Sequence, residues 1–285
     1  MKKIRLFVLM LFILSASLVG CKLDTALKDI GIEDNNDPSK DKEAARGDKA
    51  NKENESNLDD VIEEQVFEAD VIGADGALLI SPDKDSAEHL SADKISVAVR
   101  EAEIIDDKGN TVDMGILKPG DRVKVTYNGL ILESYPAQIT ASKIELIGRN
   151  HLIDGFVALI DDIYQEDSAL NDNISMIAFD TTDWTMLSKI EVEIILAIAK
   201  EKYGFEVVEG TFDELAEQEL IDKDNLYFEN GILIEIKDIE VNKDKDEIEA
   251  SIKKWRSGLG AIGWDAKAKF DKDKWKIVRE SMWIS

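Results

Sequence analysis

The spacing of hydrophobic positions changes several times along the chain, and each change predicts a different kind of segment. Leu6 to Leu14 is an unbroken apolar run behind Lys2, Lys3 and Arg5. From Lys22 to Asp60 no apolar pattern exists: these 39 residues contain no Phe, Trp or Tyr and 19 of them are charged, 12 acidic and 7 basic. From Phe67 the period is two, which predicts half-buried strands. Phe67, Ala69 and Val71 alternate with polar neighbours, Ala77 to Ile80 returns after an Ala74-Asp75-Gly76 turn and stops at Pro82, and Ile95, Val97 and Val99 alternate again. Asp106 to Asn110 is a turn. Lys118-Pro119-Gly120-Asp121 has Pro and Gly where a type II turn wants them, and it launches Val123, Val125 and Tyr127. Asn128-Gly129 is a hairpin signal, and Ile139 to Ile147 supplies a last strand. Five to six short strands at turn-separated intervals predict a small barrel or sandwich, with an OB-like barrel preferred.

After Asn150 the period becomes helical. Leu152, Phe156, Ile160 and Ile163 line one helix face behind Asn150 as N-cap. Ile174 to Phe179 reads as a strand. Ser188-x-x-Glu191 is a capping box whose helix runs to Tyr203 and stops at Gly204. Phe205 to Val208 is a short strand, and Thr211-x-x-Glu214 opens a helix to about Ile221. Beyond Gly231 alternation resumes to the end, with turns near 242–246, 257–260 and 271–274, predicting an antiparallel meander of about four strands. The expected fold class is therefore all-β plus α+β: an OB-like β-barrel domain over 62–149, then an α+β domain over 150–285 ending in that meander.

The N-terminal run is too short to span a bilayer as a helix and has the layout of a signal peptide over 1–20. It ends in Leu18-Val19-Gly20-Cys21, which resembles the lipobox of bacterial lipoproteins. That resemblance implies cleavage before Cys21, a lipid on Cys21, and a place on the outer, extracytoplasmic face of the cell membrane, with multiple acyl chains giving stable anchoring. Residues 21–61 then read as a disordered charged tether, spanning roughly 35 Å on average.

Asp93-Lys94-Ile95-Ser96-Val97, Gly120-Asp121-Arg122-Val123 and above all Glu133-Ser134-Tyr135-Pro136-Ala137-Gln138-Ile139 resemble the YobA-like family, small secreted domains of Gram-positive bacteria of unknown function. The resemblance covers about 64–147. It implies an envelope location and no catalytic residues.

Composition narrows the function. The chain has 285 residues with 60 Asp and Glu against 35 Lys and Arg, a net charge of −25, which argues against nucleic acid as partner. One Cys excludes an intrachain disulfide, and with 2 His it leaves too few ligands for a Cys/His zinc site. Gly258-Leu259-Gly260-Ala261-Ile262-Gly263 matches G-x-G-x-x-G, yet a strand-like segment follows where the dinucleotide fingerprint needs a helix. The acidic run 242–247 fails as a calcium loop because Glu247 and Lys253 stand at its glycine and final-glutamate positions. His89, in a polar loop, and His151, at a helix start, belong to no Ser/His/Asp arrangement. No cofactor is expected. Trp255, Trp264, Trp275 and Trp283 fall within 29 residues. They are either core or, with Arg256 beside Trp255, a rim for a partner; Tyr135 is a further candidate for stacking on a ligand. The expectation is a membrane-anchored, non-catalytic binding or adaptor protein meeting an envelope protein or wall component. The alternative is a protein that binds or hydrolyses a wall glycan or peptide through residues 150–285.

Overall fold

A computed structural model describes residues 63–74 and 76–285. The segments read above as signal peptide, lipobox with Cys21, and tether lie outside the described residues.

The first sheet closes on itself. Strands β1 (Gln65–Gly73), β2 (Leu78–Pro82), β3 (Ile95–Ala98), β5 (Asp121–Tyr127) and β6 (Ala137–Arg149) run in the order β3-β2-β1-β5-β6, and a parallel β3–β6 pairing completes the ring. The result is a five-stranded mixed barrel, the OB-like form expected. A short β4 (Glu103–Ile105) rides outside on β6. Period-two alternation puts Phe67, Ala69, Val71, Val123, Val125, Ile139 and Ile144 inside, all buried. The type II turn forms as the sequence predicts: Gly120 has φ +83° and the Asp121 N–H donates to the Lys118 carbonyl at 3.0 Å.

Two local expectations are corrected. The polar stretch holding His89 is a helix, α1 (Ala87–Ser91), because the Ser86 hydroxyl accepts the His89 N–H at 3.1 Å and caps it. Asn128-Gly129 does not form a tight hairpin. The chain makes a longer excursion over 128–136, held where Leu132 and Gln138 exchange backbone hydrogen bonds at 2.9 and 3.3 Å.

The second half forms helices α2 (His151–Gln165), α3 (Lys189–Tyr203) and α4 (Phe212–Glu217) and strands β7 (Met176–Asp180), β8 (Glu206–Glu209), β9 (Gly231–Val241), β10 (Glu247–Ser257), β11 (Gly260–Asp271) and β12 (Lys274–Ile284). Both predicted capping boxes are present, and Gly204 ends α3 in the left-handed region at φ 71°. The meander β9 to β12 is antiparallel as expected. The structure adds β7 and β8 to it, in the order β12-β11-β10-β9-β7-β8, with β7 parallel to both neighbours. Helices α2 and α3 cover one face of this sheet, and α4 packs on part of the other through Leu215, Trp255 and Phe228. The G-x-G-x-x-G run is the β10–β11 turn and the start of β11.

The barrel and the second sheet share packing. Ile72 of β1, buried, and Leu79 of β2, partly buried, turn away from the barrel interior and join the core under α2 and α3. No helix among the described residues is long and apolar enough to cross a membrane.

Candidate functional site

The junction between barrel and second sheet carries the densest polar chemistry. A cleft of about 510 Å³ opens there between β1, the end of β2, the N-terminus of α2 and the start of α3. Strand β5 delivers Arg122 directly after the type II turn. Its guanidinium donates to both oxygens of Asp83, to Asp70 at 3.4 Å and to Glu68 at 3.0 Å. The Asp83 pairing, with help from Asp70 and Glu68, raises the Arg122 pKa against the opposing cost of burial.

Asn150 stands at the centre of the junction. Its side-chain oxygen caps α2 by accepting the Leu152 and Ile153 N–H groups at 3.1 and 3.4 Å. Its amide nitrogen donates to Asp70 at 3.0 Å and towards Glu191 at 3.4 Å. One residue thus ties β1 of the barrel to the first turns of α2 and α3. Burial, with the nearby Glu191 charge, pushes the Asp70 carboxyl above its ordinary 3.8, although Asn150 and Arg122 oppose the rise. A second clamp lies beside it: Arg149 grips Asp154 at 2.7 Å and Asp121 at 2.6 Å. Burial raises the Asp121 pKa despite the Lys118 N–H and Arg149. Gly120 is required here, because a Cβ would stand 3.1 Å from the Arg149 guanidinium in addition to the positive φ.

Two guanidinium groups, Arg122 and Arg149, hold five carboxylates here: Glu68, Asp70, Asp83, Asp121 and Asp154. His89 lines the same cleft with Nδ1 at 3.2 Å from the Pro82 carbonyl. Among the described residues no trio of His, Cys, Asp or Glu is placed to hold a metal ion. What the cleft does chemically is fix the two sheets against each other.

The residues singled out from sequence fall in different places. Tyr135 is 71 % exposed at the tip of the β5–β6 excursion, with Leu130 at 65 % and Leu132 at 62 % beside it. Trp264 is 1 % exposed in the main core and Trp255 is buried against Phe212, ring centroids 5.1 Å apart. Both follow the core alternative. Arg256 spends its guanidinium on backbone carbonyls of Leu170, Asp172 and Glu229 at 2.9, 2.7 and 3.2 Å. Cys21, Leu18, Val19 and Gly20 lie outside the described residues. The four flagged contact residues therefore do not form one site.

Sequence reasoning missed Arg122, Asp70 and Lys254. The first two look like ordinary outward strand residues. Lys254 did leave a signal: it continues the phase of Ile248, Ala250 and Ile252, which places a lysine on a buried face. It is fully buried, and its ammonium donates to the carbonyls of Tyr164 at 3.0 Å and Asp167 at 3.2 Å, to that of Glu166, and to Asn171 Oδ1 at 3.2 Å. These are acceptors that the C-terminal turn of α2 and the chain after it leave open.

Comparison with known proteins adds one finding. Residues 73–148 match the family described as "Protein of unknown function (DUF3221)", about a quarter of the chain. The match lies within the barrel and stops before α2. No curated protein matches the chain.

Proposed function

We propose that this chain is a cell-envelope lipoprotein, anchored through a lipid on Cys21 at the extracytoplasmic face of the membrane, and that it works as a non-catalytic binding or adaptor protein. The signal-like segment 1–20 and the Leu18-Val19-Gly20-Cys21 lipobox support the anchor. The charge-rich stretch 21–61 supplies reach, and the YobA-like resemblance of the barrel agrees with an envelope setting.

The observation that carries the binding half is the β5–β6 excursion. Leu130, Leu132 and Tyr135 are exposed together on a short segment that hydrogen bonds hold in shape. Ser134 Oγ donates to the Pro136 carbonyl at 2.7 Å, and the Gln138 amide donates to Ser134 Oγ at 3.2 Å. An ordered apolar projection of this kind suits contact with a partner, because little entropy is lost when it is covered. In OB-like barrels the corresponding loop is a common contact element.

A photocrosslinking residue in place of Tyr135, in the full chain in its native envelope, is expected to capture a discrete protein, and Leu130→Ser with Leu132→Ser to reduce the yield. Labelling no different from a probe at exposed Val66 sinks the reading. Recovery of wall glycan or peptide fragments instead transfers it to the ligand-binding alternative. For the anchor, Cys21→Ala is expected to release the protein from membranes without detergent; continued retention contradicts it.

A further inference from the structure

Strand β12 is the outer strand of the second sheet. It pairs with β11 on one side and, among the described residues, with nothing on the other. Its odd-numbered residues face α2: the Trp275 indole donates to the His151 carbonyl at 3.1 Å, Ile277 packs on the core, and Arg279 holds Asp162 and Glu166 while lying 4.2 Å over the Trp264 ring. Its even-numbered residues Lys276, Val278 and Glu280 stand on the open face, where Val278 is 58 % exposed.

Within the sheet those even positions meet the wrong neighbours. Lys276 lies opposite Lys269, Glu280 opposite Asp265, and Val278 opposite Lys267. Like charges directly across a strand pair are unfavourable. The side chains on β11 satisfy themselves elsewhere, Lys267 on Glu247 and Glu249, and Lys269 on Glu247. Lys276 reaches Asp271 on its own turn.

We propose that β12 pairs with β12 of a second copy of this chain, antiparallel and about a twofold axis at Val278. The symmetry decides the partners. With Val278 facing Val278, Lys276 of each copy stands opposite Glu280 of the other. The exposed valines cover each other and each misplaced charge gains an opposite one. The paired stretch runs from Lys276 to Glu280, the five residues that the twofold at Val278 maps onto one another. Beyond it Ser281 takes φ 51° at a register shift in the β11–β12 ladder, a bulge that bends the edge away. Edge lysines and bulges commonly blunt such strands. Here they confine pairing to one register, because each lysine at 276 finds its counterpart in the glutamate at 280.

The register makes a charge-reversal test available. The full chain is expected to sediment at tens of micromolar as a dimer. Lys276→Glu places Glu opposite Glu280, and Glu280→Lys places Lys opposite Lys276, so each alone is expected to weaken the dimer roughly tenfold or more. The double variant restores opposite charges and with them the dimer. Circular dichroism of each variant checks the fold. In a Cys21→Ala background, Val278→Cys is expected to give a disulfide-linked dimer on mild oxidation, since cross-strand neighbours lie within disulfide reach; cysteine at Val66 serves as the control. A monomeric full chain overturns the proposal, as does a dimer that survives both single reversals, or a double variant that stays monomeric.

Discussion

At the residue scale, Lys254 shows how a charge is kept inside a sheet. Four oxygens replace its water, and Asp167 and Glu166 favour its charge. Burial nevertheless outweighs them and pushes the ammonium from 10.5 down to about 8. The folded chain then releases a proton near pH 8 that the unfolded chain keeps until about 10.5. More protons on the unfolded state means that stability rises with pH across this window. The unfolding free energy of the wild type, minus that of Lys254→Met, is therefore expected to grow between pH 8 and 10.5, by up to roughly 3 kcal/mol. Denaturant titrations at several pH values check this; a constant difference contradicts it.

At the scale of the element, α2 approaches the sheet closely enough to need Gly155. A Cβ there would stand 2.6 Å from Ile248 Cδ1 and 2.8 Å from the Trp275 ring. Alanine improves helix propensity by about 1 kcal/mol, whereas overpacking costs about 1–3 kcal/mol. Gly155→Ala is expected to lower the urea midpoint, against its propensity. The elements themselves were largely legible. Period two marked the strands, and Ser188/Glu191, Thr211/Glu214 and Asn150 marked helix starts, because these signals are local. Helix α1 escaped because one turn is too short to show a period, and its only mark is the Ser86 cap. The place of β7 between β8 and β9 escaped for another reason: parallel neighbours are chosen by long-range packing. The junction site was illegible for the same reason, since Asp70, Arg122, Asn150 and Glu191 are brought together from four separate elements.

For the whole molecule, the barrel is braced against the second sheet by apolar packing as well as by the Asn150 and Arg149 clamps. Ile72 is 7 % exposed, belongs to the barrel in sequence, and is buried in the core of the other half. Ile72→Ala is expected to cost about 2–5 kcal/mol and to loosen residues 150–285 as well as the barrel. Hydrogen exchange of α3 amides reads this, and unchanged protection there contradicts it. The apparent division at Arg149/Asn150 is where the clamps concentrate.

The place of β1 in the barrel has a mechanical consequence. The chain enters the described structure at Glu63, and β1 follows at once as an inner strand, gripped by β2 over Ala69–Gly73 and by β5 over Gln65–Asp70. Its hydrogen bonds lie across the strand direction. A pull on the chain ahead of Glu63 therefore runs along β1 and loads those bonds in shear, all at once, rather than peeling them one by one. A load applied at the barrel's N-terminal end meets the β1 ladders as a set.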